Sequence, residues 1–107
     1  MTRVKVNPGV CGFPATIVVK KVGKRQFDVK IETECEKLSG LSQLLTTLDF
    51  MQVFQPVSQS NLYKMVAECS LHAACPVPVG IIKALEVEAC LALPRDVSIH
   101  FERDTEK

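Results

Sequence analysis

Residues 16–33 read TIVVKKVGKRQFDVKIET, and this stretch decides the fold. Residues 16–22 are rich in β-branched side chains, which suit a pleated backbone. Residues 27–33 alternate strictly, with Phe27, Val29, Ile31 and Thr33 on one face and Asp28, Lys30 and Glu32 on the other. That period of two is the mark of a half-buried strand. Between the two runs lies VGKRQ, in which Gly23 can take a positive φ, so the runs fold into an antiparallel hairpin. Folding about Gly23–Lys24 pairs residues whose numbers sum to about 46–48, which brings Cys11 beside Cys35 at one end of the sheet.

Working outward, Thr33 followed by Glu36 matches a capping box, and Leu38, Leu41, Leu44, Leu45 and Leu48 continue at helical spacing to about Asp49. Residues 50–57 read FMQVFQPV, either a short strand limited to an edge by Pro56 or a loop that tucks Phe50 and Phe54 into the core. Ser58 or Ser60 can cap a second helix with Leu62, Met65, Val66 and Cys69 on one stripe. Pro76 or Pro78 suits the first turn of a third helix, where a missing N–H is harmless. Ile81, Ile82, Leu85, Val87, Glu88 and Leu91 carry that helix to about Ala92, and Pro94 ends it. Val97, Ile99 and Phe101 then alternate with Ser98, His100 and Glu102 as a final strand. The fold class expected is α+β: a two-layer sandwich with a twisted sheet of 3–4 strands, the N-terminal hairpin plus the C-terminal strand, and about three helices on one face. Residues 1–107 read as a single domain, since no repeat, low-complexity tract or linker divides them.

Composition narrows the function. The chain is 47% hydrophobic and 23% charged, values ordinary for a globular protein, with a net charge of +1. Near-neutrality removes the basic surplus that a general nucleic-acid binder needs to displace counterions. Lys20, Lys21, Lys24 and Arg25 cluster around the hairpin turn and read as a solvated turn. The first residues hold no apolar run of secretory type, and no stretch reaches the length of a membrane span. A cytoplasmic location is the expectation, and there thiols stay reduced.

Five cysteines in a reducing compartment read as metal ligands, reactive groups or buried fillers rather than disulfides. Cys35 falls in the first helical turn after Thr33, where free N–H groups favour a thiolate. Cys75 falls at the start of the third helix, and Cys69 is tethered six residues before it. If the last strand runs parallel to the strand containing Ile31, Cys75 reaches the sheet end that carries Cys11 and Cys35. Cys11, Cys35, Cys69 and Cys75 then converge, as a tetrahedral zinc site or an iron–sulfur cluster requires. Their spacing, C-x23-C-x33-C-x5-C, matches neither a zinc ribbon nor a ferredoxin. Cys90 reads as a core residue within the third helix. His72 is a substitute ligand, a general base for Cys75 or a cap on the preceding helix. Glu34 and Glu36 read as charges complementing a helix start, and His100 as an exposed residue.

The segments CGFPATI (residues 11–17) and CSLHAACPVPVGIIKALEVEA (residues 69–89) resemble a family of small uncharacterised prokaryotic proteins, many from anaerobes. The resemblance implies no activity, but an anaerobic setting favours an iron–sulfur cluster over zinc. The leading expectation is a metal-site protein with an accessory, carrier or electron-transfer role, held by Cys11, Cys35, Cys69 and Cys75. Two other readings stand beside it: a thiol enzyme or sulfur carrier using Cys75 with His72, and a non-catalytic dimeric binding module with structural cysteines. The partner in the last case is a second copy or another protein, joined through an edge strand and residues 50–57.

Overall fold

The computed structural model describes residues 1–45, 47–49, 51 and 54–104. Its frame is an antiparallel sheet of four strands in sequence order: β1 (Thr2–Val6), β2 (Ala15–Lys21), β3 (Gln26–Thr33) and β4 (Thr47–Asp49). β2 and β3 form the expected hairpin, with Ile17 opposite Ile31 and Ala15 opposite Thr33, partners summing to 48. β1, which the sequence reading left unassigned, pairs with the other side of β2. The alternation of β3 holds: Phe27, Val29 and Ile31 are buried while Lys30 and Glu32 are exposed.

Three helices cover the apolar face: α1 (Glu36–Leu44), α2 (Asn61–Glu68) and α3 (Val77–Glu88). Leu38 and Leu41 of α1, Leu62 of α2, and Val77, Ile81 and Leu85 of α3 join Ile17, Val19 and Phe27 in one core cluster. Each such side chain, fully withdrawn from water, contributes about 1.5–3 kcal/mol. α1 also guards an edge, because the short β4 leaves the far part of β3 unpaired and Ser42 Oγ accepts the Ile31 N–H at 3.2 Å. Ser60 caps α2, its hydroxyl accepting the Tyr63 N–H at 3.3 Å. α3 lies over β1 and β2, where Gly80 permits the close approach. A Cβ on Gly80 would stand 2.9 Å from Val6 Cγ2 and 3.0 Å from Ile17 Cδ1. At the far end of α3, Glu88 accepts the Thr2 hydroxyl at 2.6 Å and the Lys21 N–H at 3.2 Å. α3 therefore starts near the β1–β2 connection and runs antiparallel to β1.

Four features differ from the sequence reading. First, α1 ends at Leu44, and Leu48 lies in β4 opposite Phe27 rather than on the helix. Leu48 is buried in either arrangement, so the spacing of apolar residues could not tell them apart. Second, the third sheet neighbour of β2–β3 comes from residues 47–49, not 50–57. Met51 and Phe54 are exposed, and Phe50, Gln52 and Val53 lie outside the described residues. Third, Cys90 is not a core residue. It follows the end of α3 with φ 62°, is exposed, and its N–H closes the helix on the Val87 carbonyl at 3.0 Å. Fourth, residues 93–103 pair with no strand among the described residues. Val97, Ile99 and Phe101 are 63, 79 and 91% exposed, so the expected C-terminal strand is absent from this sheet. The strand alternation is present there, but no neighbour among the described residues supplies a ladder.

Candidate metal centre

Three of the cysteines, Cys11, Cys35 and Cys75, line one cleft at the end of the sheet where β1 turns into β2 and β3 enters α1. Residues 7–14 form the β1–β2 connection, built on two glycines in left-handed conformations, Gly9 at φ 84° and Gly12 at φ 76°. The Gly12 N–H donates to the Gly9 carbonyl at 3.0 Å, and the turn presents Cys11 to solvent. Thr33 ties this loop to the sheet, its hydroxyl donating to the Pro14 carbonyl at 3.2 Å. The same oxygen accepts the Cys35 N–H at 3.1 Å. Thr33 thus bends the chain into α1 without being its cap. Cys35 holds the cap position, and Glu36 is the acidic residue of the first turn.

The third thiol arrives from the other side of the core. After α2, Ser70 at φ 57° reverses the chain, and the Cys75 N–H donates to the His72 carbonyl at 3.2 Å. Pro76 and Pro78 then open α3. Cys75 is 9% exposed. Burial pushes its thiol above the ordinary value, a hydrogen bond from the Val77 N–H opposes this, and the nearby Cys11 and Cys35 add a smaller upward effect.

These groups line one open cleft of about 480 Å³, whose walls include Cys11, Cys35, Cys75, His72, Glu34 and Glu36. Cys69 is not in its lining. It caps the C-terminus of α2, its N–H donating to the carbonyls of Met65 and Val66 at 3.1 and 3.2 Å, and it packs half-buried against the core. Of the four cysteines expected together, three line the cleft, as does His72. The route also differs: α3 crossing β1 and β2 brings Cys75 in, with no help from a C-terminal strand. Among the described residues, no group of three His, Cys, Asp or Glu side chains stands ready to hold a metal ion. Ligation at a Zn–S distance near 2.3 Å would require these side chains to draw closer together than they stand.

The sequence reading missed Glu88, whose carboxylate joins β1, β2 and α3 at the opposite end of the sheet. Its Thr2 hydrogen bond holds the acid below the usual carboxylate range. Burial opposes that effect, while the terminal ammonium at 3.1 Å and the Lys21 N–H add to it. A single carboxylate 67 residues from one partner and 86 from another leaves no signal in sequence spacing.

In architecture the chain is an α+β two-layer protein with a thiol-lined cleft, and no helix among the described residues is long and apolar enough to cross a membrane. It belongs to a family of unknown function, DUF6951, whose model matches residues 2–101. No curated protein and no solved structure matches it.

Proposed function

We propose that the protein binds a soft metal ion or an iron–sulfur cluster in the cleft of Cys11, Cys35 and Cys75, with His72 or Cys69 completing the ligand set, and acts as a carrier or electron-transfer accessory. The observation that carries this reading is the convergence of three thiols and an imidazole, from three separate parts of the chain, on one cleft. Thiolate and imidazole are the donors preferred by zinc and by iron–sulfur clusters. The site is asymmetric: Cys75 is buried against the core, while Cys11 stands exposed on the β1–β2 loop. In a reducing cytoplasm these thiols would remain free for a metal. An anaerobic origin, implied by the resemblance of the cysteine segments, would favour the cluster over zinc.

A free nucleophile at Cys75, assisted by His72, is less favoured by the same geometry. Catalytic thiols have lowered pKa values and solvent access, and Cys75 has neither.

Anaerobic purification followed by metal and acid-labile sulfide analysis and a visible spectrum tests the proposal. Stoichiometric metal is the expected result, and a metal-free, fully folded protein would overturn it. Replacing Cys11, Cys35 or Cys75 by Ser should each lower metal affinity by more than about tenfold. Cys90→Ser should leave it unchanged, and the response of Cys69→Ser against His72→Ala identifies the fourth ligand.

A further inference from the structure

Residues 91–103 are exposed throughout. They leave α3 beside Thr2, since Glu88 contacts that residue, and residues 93–103 pair with no strand among the described residues. The molecule extends 56 Å along its longest axis against 30 and 25 Å across, which a segment lying on its own sheet would not produce. Three large apolar side chains alternate along this segment, Val97, Ile99 and Phe101, all exposed. Asp96, Ser98, His100 and Glu102 alternate with them. Arg95 and Arg103 bound the apolar row.

The sheet offers a complementary edge. β1 is hydrogen-bonded along one side only, to β2. Val4 and Val6 point toward α3 and pack on the core, yet remain only half-buried, as a row at an open margin does. Arg3 and Lys5 point to the opposite face and are exposed. An open edge of this kind pairs readily with another chain.

We propose that residues 97–101 of one copy add as a fifth strand to the free edge of β1 in a second copy, in a reciprocal exchange that closes a two-fold dimer. The parity of the two segments fits in one way. When Val97, Ile99 and Phe101 extend the row of Thr2, Val4 and Val6 beneath the helices, Asp96 and Glu102 fall on the face of Arg3 and Lys5. Apolar side chains then cover the half-open valines, and opposite charges share the outer face. The opposite parity would put the apolar row in water and leave the valines open. Residues 91–96 can span about 20 Å when extended, enough to carry the strand clear of its own α3. Two exchanged strands leave no free β1 edge, so the assembly stops at two chains. None of the paired β1 residues, Thr2–Val6, lines the thiol cleft.

Light scattering coupled to gel filtration on the full chain tests the exchange, with amide hydrogen exchange as the second measurement. The expected result is the mass of two chains with the amides of residues 97–101 protected. Ile99→Pro, which removes a ladder donor, should raise the dissociation constant more than about tenfold. Its helical circular dichroism should stay unchanged, because Ile99 lies outside the core. Arg3→Glu with Lys5→Glu should weaken the dimer by roughly tenfold, and adding Asp96→Lys with Glu102→Lys should restore it. A dimer indifferent to Ile99→Pro would overturn the proposal. So would the mass of one chain with residues 97–101 protected, since the segment would then cover its own β1.

Discussion

β3 and the C-terminal segment carry the same alternation and have opposite surroundings. In β3, Phe27, Val29 and Ile31 are at most 8% exposed, whereas Val97, Ile99 and Phe101 are all more than 60% exposed. The difference lies in the neighbours. β3 has β2 on one edge, β4 and Ser42 on the other, and α1 above it. Residues 97–101 have none of these among the described residues. A period of two says which side chains share a face, and only other elements decide whether that face is covered.

Placing the same charge in both regions gives the largest contrast. Val29→Asp should cost about 4 kcal/mol or more, because it buries a carboxylate with no partner. Ile99→Asp should change the unfolding free energy by less than about 0.5 kcal/mol, measured by urea denaturation at a dilution where the chains are separate. Equal effects would mean that residues 97–101 are part of the monomer core.

A second test removes the cover that distinguishes the two regions. Gly80→Val places side-chain carbon where Val6 and Ile17 already stand, and should destabilise the chain by about 2–3 kcal/mol in thermal or chemical denaturation. Lifting α3 should also loosen the thiol cleft, so on the proposed metal-binding reading metal content should fall with stability.

Glu88 fastens the other end of α3 to the sheet. Glu88→Gln should cost about 1 kcal/mol, since Thr2 and Lys21 then donate to a neutral group. The sign of its pH dependence follows from a folded pKa below the unfolded value. The contribution is fully present above the ordinary carboxylate pKa of about 4.3 and is lost as pH falls through the folded value. A stability profile of Glu88→Gln against the parent should therefore converge in acid and separate toward neutrality.

The smallest effect is expected at the junction between α3 and the uncovered segment. Cys90 holds a left-handed conformation at φ 62° that costs an L residue about 1 kcal/mol. Cys90→Gly removes that strain but adds unfolded-state entropy, so a net gain of a few tenths of a kcal/mol is expected in the denaturation midpoint.

Much of the fold and part of the site were legible before any coordinates. The β2–β3 hairpin followed from alternation around Gly23, and its register brought the Cys11 loop to the Cys35 turn. The start of α3 followed from the proline pair after Cys75. Cys69 and Cys90 read as helical residues by spacing, yet both stand where helices end, and spacing carries no information about termination unless a cap residue marks it. Leu48 obeyed two periods at once. Glu88 depended on partners remote in sequence.

Local chemistry written into consecutive residues therefore determined the hairpin, the helix starts and the faces of each element, because sterics and hydrogen bonding act over a few residues. Tertiary structure alone decided that α3 crosses β1 and β2 to bring Cys75 to the cleft, that Cys69 stays outside it, and that the last alternating segment finds no strand partner among the described residues. Those outcomes depend on close approach at Gly80 and on which edges remain open, and both are properties of the assembled layers.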